Sequence, residues 1–429
     1  MSSDVPGPVD WVEQAVSPDV TAAAAAQAHL RNAGPSGLVM LLERYAPQIA
    51  AHRSGAPSNE QWKRIASAFD KVGAQRDNYA SGLYWYTDLE KAKAAAQASG
   101  RPILSLRLLG RLDEELSCAN SRFFRTTLFP NAEINQILKE RYVLHWESVR
   151  PAPRVTINFG DGRTLERTIT GNSIHYILDS NGEVADALPG LYSARIFADE
   201  LRAAADALKG SGGAAAHLKA TRSRLLNAWA ADLALLHIQL PSERPGNEND
   251  LQERTDDATW QRIAQLHEDE AGFDARASEL MARKFPSAEV AARQTMSKSR
   301  VETPILTSLA SPTGGGNTLG QVFPSAQAAA PLAASKALVE VPKLRSLASS
   351  PRVLSLSRTV ALDTVHNNYM RRTKILAFIA GPAAQKRLSL AAINNWVYSQ
   401  VFLTPAEDPW LGLAPADVFS AIEGDGRRY

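Results

Sequence analysis

The chain has 429 residues, 45% of them hydrophobic and 21% charged, with 47 Lys plus Arg against 45 Asp plus Glu, a formal net charge of +2, and one cysteine. That length and balance suit a globular protein of more than one domain and exclude wholesale disorder, while the small net charge supplies no basic field for nucleic acid. A single cysteine excludes an intramolecular disulfide and a thiolate metal cluster but permits a mixed disulfide with a partner.

Residues 1–83 read as a helical N-terminal segment. Leu38, Leu41, Leu42, Tyr45 and Ile49 are spaced for one apolar stripe, and Trp62, Ile65 and Phe69 repeat the pattern over 61–80. From Asp88 the pattern changes. A helix over 88–99 stops at Gly100, and Pro102 introduces an apolar strand over 103–109. A helix over 132–140 and a strand over 141–147 follow. Residues 154–159 and 163–168 flank Gly160, Asp161 and Gly162 as a hairpin. Strands over 173–178 and 183–188 are joined by the turn Asp179, Ser180, Asn181, Gly182, and a helix over 194–208 turns Phe197, Leu201, Ala204 and Leu208 inward.

Residues 211–296 form a further helical segment. It has a long helix over 214–240 carrying Leu225, Trp229, Leu233 and Leu236, and shorter ones over 256–270 and 275–283. A Pro/Ser/Ala/Gly-rich linker occupies 297–357 and includes short helical pieces near 326–336. Helical patterning returns over 358–429, where Trp410, Leu411 and Leu413 are apolar enough to dock on a surface. No run of about 18 apolar residues is present for a membrane span. No basic stretch leads into an apolar run near Met1, so no secretory signal is read and a cytoplasmic location is expected.

Within 84–208, Arg101-Pro102, the apolar strand, Cys118-Ala119-Asn120-Ser121, the run from Phe123 to Phe129, and the strand-turn from Tyr176 to Gly182 followed by Gly190 together resemble the thioredoxin superfamily. The resemblance implies an α/β fold, a thioredoxin-like central domain with a mixed sheet, flanked by α-helical N- and C-terminal segments. It places Cys118 at the family's nucleophilic cysteine, Ser121 where the resolving cysteine stands, and Ser173 where the family has a cis-proline. A serine cannot close the disulfide.

A cysteine at a helix N-terminus gains thiolate stability from unpaired N–H groups, and Arg122 and Arg107 favour the anion while Asp113, Glu114 and Glu115 oppose it. Two readings follow. In one, the chain is an interaction module, non-catalytic or weakly redox-active. In the other it is a single-cysteine thiol-disulfide oxidoreductase, with Cys118 as nucleophile, Ser121 donating to its thiolate, Arg122 tuning its charge and Ser173 beside it. The partner is accordingly a protein or a thiol/disulfide substrate, with no nucleic acid and no membrane.

Other constellations read as structural. Gly171-Asn172-Ser173-Ile174-His175 lacks the last glycine of a hydrolase elbow. His145 and His175, expected on neighbouring strands, lack a third metal ligand. His267 has no second histidine at zinc spacing, and Arg371, Arg372 and Lys374 read as a solvated helix face. No cofactor and no metal site are assigned.

Overall fold

The computed structural model describes residues 10–168, 171–209, 213–239, 252, 255–268, 351–405 and 407, and of Arg167 and 351–357 the backbone only. The expected helix over 275–283 and the docking segment around Trp410 lie outside the described residues.

Among the described residues six helices precede the sheet: α1 Trp11–Gln14, α2 Val20–Asn32, α3 Pro35–Arg44, α4 Ala46–Arg53, α5 Glu60–Gly73 and α6 Asn78–Ser81. Asp10, Asp19 and Asn59 cap three of them by accepting backbone N–H groups that the first turn leaves unpaired. The 38–49 stripe is divided between α3 and α4. Pro47 cannot donate to a preceding turn, so the helix restarts with the proline in its first turn. Leu38, Leu41, Tyr45 and Ile49 still bury with Leu30, Ile65, Phe69 and Val72 in a core of their own. Arg31 ties this bundle to the sheet, donating to the carbonyl oxygens of Val72 (2.8 Å) and Trp85 (2.5 Å).

The central sheet contains β1 Trp85–Tyr86, β2 Ile103–Leu109, β3 Val143–Arg150, β6 Ser173–Leu178 and β7 Val184–Pro189, in the order β1-β3-β2-β6-β7. β1, β3 and β2 run parallel, and β6 and β7 run antiparallel to their neighbours. All seven residues of β2 are buried, as a central strand covered on both faces requires. Helix α7, Leu89–Ser99, is capped by Asp88 and ends at Gly100 with φ +65°, and it packs on β1, β2 and β3. After β2 come α8 Ala119–Phe123, a π-helical turn Phe124–Leu128, and α9 Ala132–Arg141. β4 Arg154–Asn158 and β5 Thr164–Thr168 pair only with each other, as a separate two-stranded sheet.

His145 and His175 are not on neighbouring strands, contrary to expectation. β2 separates β3 from β6, and the register pairs His145 with Ser105 but His175 with Leu106, so the two rings point to opposite faces. His145 Nδ1 lies 2.9 Å from Ser105 Oγ. His175 sits among the rings of Phe124, Phe129 and Phe197 with no hydrogen-bond partner for either ring nitrogen.

The later helices are α10 Ala194–Lys209, α11 Gly213–Leu235, α12 Asp257–Leu266, α13 Pro351–Val365, α14 Thr373–Phe378 and α15 Leu390–Gln400. π-helical turns at His366–Arg372 and Ile379–Ala383 flank α14. Helix α13 begins inside the stretch expected to be linker, because Pro351 is well placed in a first turn and Arg352, Leu354 and Leu356 after it favour helix. Val360, Ile375, Ile393 and Val397 share the apolar core of β2 and β6, so these helices are part of the body around the sheet.

Arg372 overturns the solvated-face expectation. It is fully buried, donating to Asp186 Oδ2 (2.7 Å) and Glu200 Oε2 (2.9 Å), while Arg224 also pairs Glu200 and His217 lies 2.8 Å from Asp186. The Arg372 guanidinium holds Asp186 down to about 2 despite its burial. No helix among the described residues is long and apolar enough to cross a membrane.

Candidate functional site around Cys118

A loop over 110–117 joins β2 to helix α8, and Cys118 is the residue that caps the helix. Its amide donates to the Leu109 carbonyl oxygen (3.3 Å), and its Sγ caps α8 by accepting the Ser121 amide at 3.4 Å. The side chain is 0% exposed. Burial raises the thiol pKa, outweighing the opposite pull of the Ser121 hydrogen bonds and the Arg122 charge. The N-terminal stabilisation expected from sequence is therefore present and is the smaller effect. Helix α8 runs on into the π-helical turn over Phe124–Leu128, and burial still outweighs the pull of its N-terminus.

The expected site residues do gather here. Ser121 Oγ lies 2.5 Å from Ser117 Oγ and 2.9 Å from the Cys118 carbonyl oxygen. Arg122 donates to the Ser117 carbonyl oxygen (2.5 Å) and to Thr168 Oγ1 (2.7 Å), fastening the loop before the cysteine to the end of β5. Ser173 is 0% exposed, accepts from Asn120 Nδ2 (2.9 Å), and receives the Gly190 amide on its carbonyl oxygen (2.8 Å). No cis peptide bond occurs among the described residues.

The acidic loop is neutralised locally. Asp113 accepts from Arg111, Glu114 lies near Arg111 and Arg154, and Glu115 pairs Arg76 and Arg125. Arg125, 1% exposed, also donates to the Glu114 and Glu115 carbonyl oxygens, which locks the loop in place. Arg107 pairs with Glu147.

Sequence reasoning missed what covers this corner. Tyr398 donates to the Asn172 carbonyl oxygen (3.3 Å), Asn172 Nδ2 donates to Thr404 Oγ1 (3.0 Å), and Arg150 donates to the Thr404 carbonyl oxygen (3.1 Å). Phe402 is buried beside them, while Leu403 between them is held at φ +53°. Burial pushes the Tyr398 phenol well above its usual range, and nearby Cys118 and Tyr176 act in the same direction. A cavity of about 30 Å³ remains between Asn120, Asn172, Ser173, Asn367, Arg371 and Phe402, room for one water. Asn172 adjoined an expected site residue, but nothing in the spacing of Tyr398 or Thr404 announces a partner more than 200 positions away.

Among the described residues no group of three His, Cys, Asp or Glu side chains is placed to hold a metal ion. No protein-family model, curated protein or solved structure matches the chain.

Proposed function

We propose that the chain uses a thioredoxin-like frame as a non-catalytic interaction scaffold, in which Cys118 is a packing and capping residue. The strand order, with three parallel strands followed by two antiparallel ones and a cysteine capping the first helix after the central strand, supports the thioredoxin-like reading. The observation that carries the functional part is the state of the sulfur. It is fully buried, with Tyr398 among its neighbours, its pKa is raised, and Ser121 stands where a resolving thiol would be needed. A thiolate must form and reach a substrate sulfur in line for exchange, and burial opposes both steps.

Intact-mass measurement after incubation of the native chain with glutathione disulfide tests this. The scaffold reading expects the unmodified mass. A stable glutathione adduct on Cys118 establishes the single-cysteine oxidoreductase reading in its place.

A further inference from the structure

The β4–β5 hairpin projects from the body with unusual surface chemistry. Every residue of β4 is exposed, and Val155, Ile157 and Phe159 stand on one face at 37, 41 and 55% exposure. Leu165, opposite Ile157, continues that face. A lone two-stranded ribbon is marginal in water, and an exposed apolar edge strand is a template for another strand.

Both strands are fastened to the body at one end, β5 through the bonds of Thr168 with Arg122 and Ser117 and β4 through the Arg154–Glu114 ion pair. β4 has no strand on its outer side among the described residues. The Phe159 amide donates to the Arg163 carbonyl oxygen. By antiparallel alternation Ile157 and Val155 also bond inward, which leaves Thr156 and Asn158 to present backbone groups outward.

We propose that β4 pairs with β4 of a second copy of this chain, antiparallel about Thr156, to make a four-stranded sheet across a twofold axis. The register is self-consistent, since outward-bonding residues meet outward-bonding residues. Thr156 faces Thr156 and Arg154 faces Asn158, with Val155 against Ile157 and Phe159 against Pro153. No like charges oppose one another. Thr–Thr and β-branched pairs are among the stabilising cross-strand pairs, and the apolar faces of both hairpins become continuous. The corresponding pairing of β5 about its centre would set Glu166 against Glu166. This charge pattern selects the β4 edge and a second copy as its occupant. The contact is short, so the dimer is weak and concentration-dependent.

Sedimentation velocity of the full chain over a roughly hundredfold dilution series reads the equilibrium. The expected result is a reversible dimer whose dissociation constant rises about tenfold or more in Thr156→Lys, which sets like charges opposite across the axis. Thr156 is exposed, so the variant folds, and its unchanged circular dichroism verifies that. In Thr156→Cys, diamide should give a covalent dimer, because hydrogen-bonded antiparallel partners lie at a Cα separation compatible with a disulfide. Thr164→Cys on β5 should give no covalent dimer under the same oxidant. A monomer at every concentration, a dimer indifferent to Thr156→Lys, or equal cross-linking through Thr164 would overturn the proposal.

Discussion

The hydroxyl of Tyr398 donates to the carbonyl oxygen of Asn172 at 3.3 Å, and that same oxygen accepts the Leu109 amide, while the Leu109 carbonyl accepts the amide of Cys118. One chain of hydrogen bonds thus runs from the C-terminal helix to the cysteine. The segment around Tyr398 is tied to the backbone that positions Cys118.

Tyr398→Phe removes the first link and costs about 1 kcal/mol of cover stability. Native-state alkylation of Cys118 should then run about fivefold faster. Leu403 gives the opposite sign. It is 69% exposed at φ +53°, so Leu403→Gly gives up little burial and relieves a left-handed conformation disfavoured by roughly 1 kcal/mol. A higher denaturant midpoint and slower alkylation are expected, measured side by side with the parent chain.

Arg372→Met leaves Asp186 and Glu200 as buried carboxylates short of a cation. Breaking a buried pair from one side costs about 3–5 kcal/mol, far more than the neutral packing of methionine returns. The thermal midpoint should fall by many degrees at pH 7. Recovery is expected when Asp186→Asn is added, since the orphaned charge is the source of the loss.

Gly190 has φ +74°, and a Cβ there would sit 2.6 Å from Asn367 Nδ2. Gly190→Ala combines backbone strain with displacement of Asn367, whose amide group donates to the Leu191 carbonyl oxygen. A loss of roughly 1–3 kcal/mol is expected by denaturant unfolding.

Two opposed groups shape the pH dependence. Burial holds His145 and His175 down to about 3, so the fold carries them neutral while the unfolded chain protonates them below about 6.5. Above that value their protonation does not affect stability, and stability is lost as pH falls from about 6.5 towards 3. Asp70 is raised to about 7 by burial and by Asp77, so its contribution is complete below about 3.8 and is lost as pH rises to 7. His175→Leu should flatten the acid limb, and should also stabilise the fold at neutral pH by about 1 kcal/mol by removing unbonded ring nitrogens from an aromatic cage. Asp70→Asn should flatten the rise-and-fall from the other side. Urea titrations across pH 3 to 8 distinguish the two.

Local signals in the sequence were read correctly where one residue decides the geometry. Asp88 and Gly100 bracket α7, the apolar run after Pro102 is the buried β2, and Gly160 and Gly162 turn the hairpin. Cys118, Ser121, Arg122 and Ser173 were brought together because the strand-to-helix connection and the start of β6 are close in sequence to the sheet that joins them. The failures share a different cause. Arg372 has the same local context as a solvated arginine, and only Asp186 and Glu200, more than 170 positions earlier, draw it inside. The bonds of Tyr398 and Thr404 to Asn172 are likewise made by residues without periodicity or motif. The histidines were misplaced because alternation fixes the face of each ring but not which strand lies between them.

Whether Cys118 is a buried, inert thiol is read from the alkylation rate of the native chain against pH. Slow labelling is expected, rising only above the free-thiol range of about 8.5 and reaching the rate of an ordinary cysteine only when the chain is unfolded. Rapid labelling of the folded protein with a midpoint below that range would show an accessible, activated thiol instead.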